Sequence, residues 1–321
     1  MTPAAAAELD LAVRDIVDSG PVRTLTLAAA GTLDGVGTSL PGSSLPGYVP
    51  GSHLVVDCGG RPNAYSLLDD GVAPETYRIS VLHRPDGGGG SRWLHQRRVG
   101  EAVRASPPRS AFAPVAAATH HLLIAGGIGV TPLMSHVRAA HRWGRPYTLL
   151  YRYRVAAHVA ELRAMCGPRL VELPDRGTFS GQLAAALVGQ PLGTHLYVCG
   201  PAAFTDLVLD SAQAAGWPAV RLHAERFTAD VLDAGRPFRV RVGAASYDVP
   251  AGVSLLEALE RNGHSLPFRC RQGVCGECLV PVRAGRVEHR DLYLSEAEKT
   301  SGDQLLPCVS RGLDDLLEVV V

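Results

Sequence analysis

The stretch CRQGVCGECLV, residues 270–280, places cysteines at 270, 275 and 278, and a fourth follows at 308. Whatever those four thiols hold, the chain between 278 and 308 must return to the loop that carries the first three. That closure constrains the C-terminal third more tightly than any hydrophobic pattern. Disulfides, zinc and an iron–sulfur cluster are the competing readings. The start, MTPAAAAELDLAVRDIV, lacks a basic region before an apolar run and meets acidic residues within ten positions. No apolar run approaches the length of a membrane span. A cytoplasmic, reducing location follows. There seven cysteines, an odd number, are not expected to pair.

Zinc sites usually show two short Cys-x2–4-Cys knuckles. Here three cysteines lie at one end and one at the other. C-x4-C-x2-C with a distant fourth cysteine is the plant-type ligand pattern for a 2Fe–2S cluster. Each iron takes two thiolates, so Cys270, Cys275, Cys278 and Cys308 are the predicted ligands, and soft sulfur suits iron. Gly273 and Gly276 let the loop wrap closely and turn backbone N–H groups toward the cluster sulfurs. Arg269 and Arg271 offset its negative charge. Cys58, Cys166 and Cys199 lack any such spacing and read as ordinary buried cysteines.

The remaining length leaves room for two further domains in a chain of 321 residues. Thirty-one basic residues balance thirty-one acidic ones, so nothing favours a nucleic-acid or membrane partner. Residues 1–112 are β-rich: the runs at 22–30, 51–58, 63–68 and 76–84 are short and bounded by Gly, Pro and Asp, which suggests an antiparallel β-barrel. Residues 113–228 alternate strand and helix. Strands at 120–126, 146–153, 169–173 and 194–199 are followed by helices at 130–144, 155–165, 181–188 and 201–215, which predicts an α/β domain with a parallel sheet. Residues 229–236 read as a linker. Residues 237–321 hold two strands, a helix at 254–263, the cysteine loop and a closing strand, an α+β unit.

Two glycine motifs fall within the α/β region. AGGIGVTP (125–132) follows a buried strand and opens a helix, so Gly126, Gly127, Gly129, Thr131 and Pro132 offer a close backbone approach and free N–H donors to a diphosphate. It departs from the G-x-G-x-x-G fingerprint, and a merely tight turn is the plainer reading. VCGP (198–201) ends a later strand of the same sheet, at the edge where ligands of open α/β sheets bind. Cys199, Gly200 and Pro201 then read as a wall of a nicotinamide pocket.

In order, NAYSLL, GGGGSRWLH, AGGIGVTPLMS, VCGP, HAERF and the four cysteines resemble the phthalate dioxygenase reductase family, which includes vanillate O-demethylase reductases. The resemblance spans nearly the whole chain. It implies a flavin barrel, an NAD domain and a β-grasp-like ferredoxin domain, with FMN (FAD is the alternative), NADH and the 2Fe–2S cluster as redox groups. Asn63, Ala64, Tyr65 and Ser66 fall on the family's R-x-Y-S motif. The resemblance implies that Tyr65 packs along the isoalloxazine and that Ser66 hydrogen-bonds near N5, where hydride arrives. Ile79 and Val81 would bind flavin through backbone groups, Gly89, Gly90 and Ser91 match the phosphate loop, and Phe227 matches an aromatic residue near the flavin. Two of the family's arginines are replaced, by Asn63 and Gly88. Arg61, on the face of Asn63, or Arg92, beside Ser91, is left to supply the charge.

These readings predict an oxidoreductase. NADH yields two electrons together and a 2Fe–2S cluster takes one at a time, so a bound flavin must split the pair. The residues bet on at the hydride step are Ser66 and Cys199. None of the twelve histidines sits in a recognisable acid–base triad. Arg152 or Arg154 could meet a 2′-phosphate, but solvated arginine is the default, and NADH is chosen over NADPH on the resemblance. The expected partner is a terminal oxygenase, a Rieske-type aromatic oxygenase or O-demethylase, with a cytochrome P450 or other haem monooxygenase as the alternative. A metal-stabilised binding module without turnover is the rival of another class. A self-contained chain is compatible with a monomer.

Overall fold

A computed structural model describes residues 8–31, 45–110, 112–175, 177–226, 235–268, 273, 276–291, 293–294 and 296–321. The chain divides into two units, Met1–Phe227 and Thr228–Val321. The first unit opens with β1 (Leu9–Ser19), β2 (Val22–Ala29), β3 (Ser52–Asp57), β4 (Pro62–Ser66) and β5 (Thr76–Leu82). A short helix α1 (Gly90–His95) precedes β6 (Ala102–Ala105) and β7 (Arg109–Ser110). Sequence alternation does not pick out β1. Leu11, Ala12 and Val13 are buried in succession, and the register with β2 shifts between Val13 and Asp15, so a bulge breaks the period of two.

The antiparallel order is β4-β3-β6-β1-β2-β5, with β7 added to β3. Its two ends meet. Leu67 bridges Ile79, and the Leu68 N–H donates to the Arg78 carbonyl at 3.1 Å, so the sheet curls back on itself as a barrel. Leu25, Leu27, Leu54, Val56, Tyr77 and Ile79 fill its interior. Each such side chain taken wholly from water contributes roughly 1.5–3 kcal/mol.

The parallel sheet consists of β8 (His120–Gly126), β9 (Tyr147–Arg152), β10 (Leu170–Leu173), β11 (Thr194–Gly200) and β12 (Leu222–Arg226). Its order is β10-β9-β8-β11-β12, so the winding reverses between β8 and β11. Helices α2 (Val130–Arg142) and α3 (Val159–Cys166) cover one face, where Leu133, Val137 and Leu162 meet Leu123, Leu149 and Tyr197. Helices α4 (Phe179–Leu187) and α5 (Ala202–Ala214) cover the other, against Leu122, Ile124, Leu150 and Val198. The helix expected from 155 begins only at Val159, because His158 takes a left-handed conformation with φ 60°.

Barrel and parallel sheet are stitched together within this unit. The Ser135 hydroxyl donates to the Asp69 carbonyl at 2.5 Å, Arg142 pairs with Asp70 at 2.6 Å, and Ser80 Oγ meets His158 Nε2 at 2.8 Å. Arg78 and Arg138 both engage Glu161, whose carboxyl is held down to about 2 by the His158 hydrogen bond and the two guanidinium groups.

The second unit contains β13 (Phe238–Val242), β14 (Ala245–Val249), α6 (Leu255–Arg261), β15 (Val280–Ala284), β16 (Val287–Glu288), α7 (Glu296–Ser301), β17 (Gln304–Leu305), β18 (Arg311–Gly312) and β19 (Leu316–Val319). The mixed order β14-β13-β19-β15-β17, with β13 and β19 parallel, is a β-grasp arrangement. Ser254 caps α6 by accepting from the Glu257 N–H at 3.1 Å, and Leu255, Leu256 and Leu259 pack on Val240, Leu305 and Leu317. Among the described residues no helix is long and apolar enough to cross a membrane.

Candidate active site and cluster site

The winding reversal brings both glycine motifs to one edge. β8 ends at Gly126, the turn Gly127–Gly129 follows, and α2 begins at Val130 with no side chain capping its N-terminus. The edge is tight. A methyl group on Gly129 would collide with the Cys199 carbonyl and stand 2.7 Å from the Gly200 nitrogen, so only glycine lets β8 and β11 close here. Gly126 and Gly200 both lie against the Phe204 ring, and Pro201 starts α5. Thr131 turns inward, its hydroxyl donating to the Ile128 carbonyl at 3.0 Å, and Pro132 is buried in the first turn of α2.

Cys199 is fully buried, and burial together with the Glu225 carboxyl pushes its thiol well above the ordinary range. It is register partner to Glu225 on β12. Glu225 Oε2 is buried without a hydrogen-bond partner, and burial pushes the carboxyl up to about 8. The sequence reading missed this residue inside HAERF. The signal was its place two residues before the expected flavin aromatic, but the pairing with Cys199 is long-range. Phe227 lies outside the described residues.

Arginine placement also differs from expectation. Arg154 lies exposed beyond the end of β9. Arg152 ends β9 opposite Gly126, with its guanidinium 5.8 Å from the centres of the Phe179 and Phe204 rings. It is therefore the arginine at the glycine edge.

On the barrel side, β5 passes within 8 Å (Cα to Cα) of the Gly127–Gly129 turn, which sets the two halves of the site next to each other. Ile79 and Val81 occupy β5, and the Val81 carbonyl already has His95 Nε2 at 2.9 Å. On β4, Ala64 pairs with Val55 and Tyr65 with Leu54. The phosphate-loop candidates gather beside them. A methyl group on Gly90 would collide with Asn63 Nδ2 and stand 3.2 Å from the Tyr65 hydroxyl. Burial and the neighbouring Cys58 thiol raise the Tyr65 pKa, and burial pushes Cys58 up to about 12. Asn63 donates to the Arg61 carbonyl at 3.0 Å, and Arg61 Nη1 donates to the Gly88 carbonyl at 2.6 Å, close to Gly89. Arg92 instead donates to the Pro85 carbonyl, and Ser91 Oγ accepts from the Arg84 N–H. Of the two arginines expected to replace the missing charge, Arg61 sits at the loop.

Ser66 is 5% exposed, and its hydroxyl is buried without a partner. A buried hydroxyl on β4 and a buried carboxyl on β12 are each left unmatched by the protein, polar atoms that a polar heteroaromatic ligand can satisfy. Together with the uncapped glycine turn, they suit a flavin and a dinucleotide.

In the second unit, Cys270 and Cys275 lie outside the described residues. Cys278 and Cys308 are both buried and share one core. Cys278 lies two residues before Val280 and Cys308 three residues after Leu305, and Val280 and Leu305 are ladder partners of β15 and β17. Gly273 and Gly276 have φ of 71° and 73°, with Val309 packed on the first and Tyr293 on the second. Both glycines are closely packed, and the soft, buried thiols of Cys278 and Cys308 fit an iron–sulfur cluster.

The chain is similar to known proteins along its length. Residues 240–311 match the 2Fe-2S iron-sulfur cluster binding domain, and residues 101–222 match the dimethylamine monooxygenase subunit DmmA-like N-terminal domain. The heme-dependent oxidative N-demethylase beta subunit of Ectopseudomonas mendocina is 44% identical over 84% of this chain and 88% of its own. Vanillate O-demethylase oxidoreductase of Acinetobacter baylyi is 34% identical over 88% and 92%. The solved structure of phthalate dioxygenase reductase, described as modular for electron transfer from pyridine nucleotides to 2Fe–2S, superposes with a TM-score of 0.72 at 28% identity, covering 98% of each chain. With barrel, nucleotide sheet and ferredoxin unit in the same order, the chain belongs to the phthalate dioxygenase reductase family.

Proposed function

We propose that the chain is the NADH-dependent reductase component of an oxygenase system, passing electrons through FMN and a 2Fe–2S cluster to a haem-type terminal oxygenase. The observation that carries this reading is the meeting of Gly126–Gly129, Cys199 and Glu225 at one sheet edge, with barrel strand β5 beside the glycine turn and Ser66 on β4, bridged to β5 just beyond it, left with an unpartnered hydroxyl. When bound, the flavin would accept the two electrons of NADH as one hydride and release them singly, and the cluster would carry them one at a time.

The chain's own residues bind and orient. In this reading the glycine turn and the N-terminus of α2 receive the dinucleotide diphosphate, and Arg152 adds positive charge at that edge. Tyr65 covers the isoalloxazine, while Gly89, Gly90 and Arg61 receive the phosphate of FMN. Ile79 and Val81 border the ring, and Ser66 holds a proton donor near N5. Cys199 and Glu225 wall the nicotinamide, the carboxyl staying protonated near neutral pH and so able to donate to the carboxamide. Cys270, Cys275, Cys278 and Cys308 ligate the cluster. The haem-type partner is supported by the identity to the heme-dependent oxidative N-demethylase subunit, and the dimethylamine monooxygenase match supports an amine-demethylating system. Similarity to phthalate dioxygenase reductase keeps a dioxygenase-type partner as the second reading.

Anaerobic titration with NADH tests the route: bound flavin bleaches and the EPR signal of a reduced 2Fe–2S cluster grows. A chain that purifies without flavin, or whose cluster stays oxidised, overturns the reading. For the partner, NADH oxidation coupled to amine demethylation is measured with a haem-type oxygenase subunit and with a Rieske-type one. Faster coupled turnover with the Rieske protein reverses the choice.

Glu225 yields a pH prediction. Below about pH 4.5 its carboxyl is protonated in folded and unfolded chains alike, and up to about pH 8 only the folded chain keeps the proton. Unfolding then releases a proton, so this residue's contribution to stability falls as pH rises through that window and levels off above it. Glu225→Gln is expected to gain on wild type between pH 5 and pH 8, by up to roughly 1.4 kcal/mol per pH unit. Urea unfolding at the two pH values checks it, and a constant difference contradicts the assignment.

A further inference from the structure

The flavin reading leaves one buried group of the barrel unused. His53 on β3 is register partner to Ser66 on β4, so the two side chains leave the sheet on the same face, with Cβ atoms about 5 Å apart. They are 4% and 5% exposed. Each carries a buried polar atom without a hydrogen-bond partner, His53 Nε2 and Ser66 Oγ, so they do not bond each other. Leaving one such atom unmatched costs its desolvation, and two side by side on one face are a polar spot that the protein itself does not satisfy.

Among the described residues, nothing around His53 turns it into an ion. Its other strand neighbour is Arg109 on β7, and both burial and that guanidinium pull its pKa down to about 4. Ser66 opposite is uncharged. A neutral imidazole offers one N–H and one bare nitrogen. Nε2 is the unpartnered one, and by tautomer it can donate to a ligand carbonyl oxygen or accept from a ring N–H. Such a nitrogen does not match a phosphate or a metal ion, which would call for charge or more ligands.

We infer that His53 is a flavin-positioning residue, whose Nε2 hydrogen-bonds the polar edge of the isoalloxazine beside the contact made by Ser66. This rests on the flavin reading above and deepens it. Ser66 attends the atom that receives hydride, and His53 fixes the ring in plane so that this atom stays in reach.

The test compares wild type, His53→Leu and His53→Gln as full-length holoprotein, with cluster absorbance confirming that each is folded and loaded. FMN dissociation is read from the fluorescence recovered on dilution, and thermal unfolding is followed in parallel. Expected are FMN binding weaker by about tenfold or more in His53→Leu, and recovery to within about threefold of wild type in His53→Gln, whose amide donates from a similar reach. The unfolding temperature of FMN-depleted protein should not fall in His53→Leu, because an unmatched polar atom has been replaced by an apolar group. A purely structural role gives the opposite pair, unchanged FMN affinity with a lower unfolding temperature, and overturns the proposal. Should the leucine variant not fold, His53→Asn serves, its shorter amide losing the contact; FMN affinity equal to that of His53→Gln then overturns it. Wild type that binds no flavin defeats the flavin reading itself, a result distinct from any difference among variants.

Discussion

Cys278→Ala is expected to lower electron delivery to a protein acceptor by more than ~100-fold, since even partners one shell out from a metal typically cost 10–100-fold. NADH-driven reduction of ferricyanide should stay within about twofold of wild type, because the step removed lies after flavin reduction. The contrast follows from the division of the chain. Glycine turn, Cys199, Glu225 and the β4 strand all lie in the unit Met1–Phe227, whereas Cys278 lies in Thr228–Val321 with a core of its own. Cys278 is 2% exposed, two residues before β15, and alanine there removes one of the four proposed ligand thiolates from a buried position without disturbing the first unit. The visible absorbance and EPR signal of the cluster should vanish together. If ferricyanide reduction disappeared in a folded variant, electrons could not leave the flavin directly, and the order NADH, flavin, cluster would be wrong. Full oxygenase turnover without a cluster would remove the cluster from the route.

What the sequence made legible follows from how local each signal is. The proposed ligand loop is read from spacing alone, because four sulfurs around one small group fix the intervals between them. AGGIGVTP is legible for a related reason: a strand, a tight turn and a helix start are contiguous, and the collision that Gly129 avoids with Cys199 only adds the distant half of the fit. Glu225 was not legible, since its role depends on lying opposite Cys199 across β11 and β12, and register between strands more than twenty residues apart leaves no mark in composition. Strand β12 itself was passed over, its His, Glu and Arg giving no apolar alternation. The same limit applies to His53, an unremarkable strand histidine until its partner is known to be Ser66. At the nucleotide edge, counting along YRYR could not decide between Arg152 and Arg154, because the decision depends on where β9 ends.

Ser66→Ala is expected to slow flavin reduction by NADH about 100-fold while FMN stays bound, the size typical of removing one hydrogen-bond donor aimed at a reacting atom. The hydroxyl is buried and unpartnered, so it stabilises nothing in the folded chain that alanine would lose, and stability should be unchanged or slightly higher. A residue whose loss is neutral for folding but costly for one chemical step acts in that step. Stopped-flow absorbance separates the possibilities. A slower bleaching phase at saturating NADH, with unchanged dependence on NADH concentration, places the hydroxyl at hydride arrival, since ground-state binding would instead alter the concentration dependence. Loss of FMN on purification would make Ser66 a binding residue, with His53 unable to hold the ring alone. Wild-type bleaching rates would leave Cys199 and Glu225, on the opposite side of the site, to orient the transfer without it.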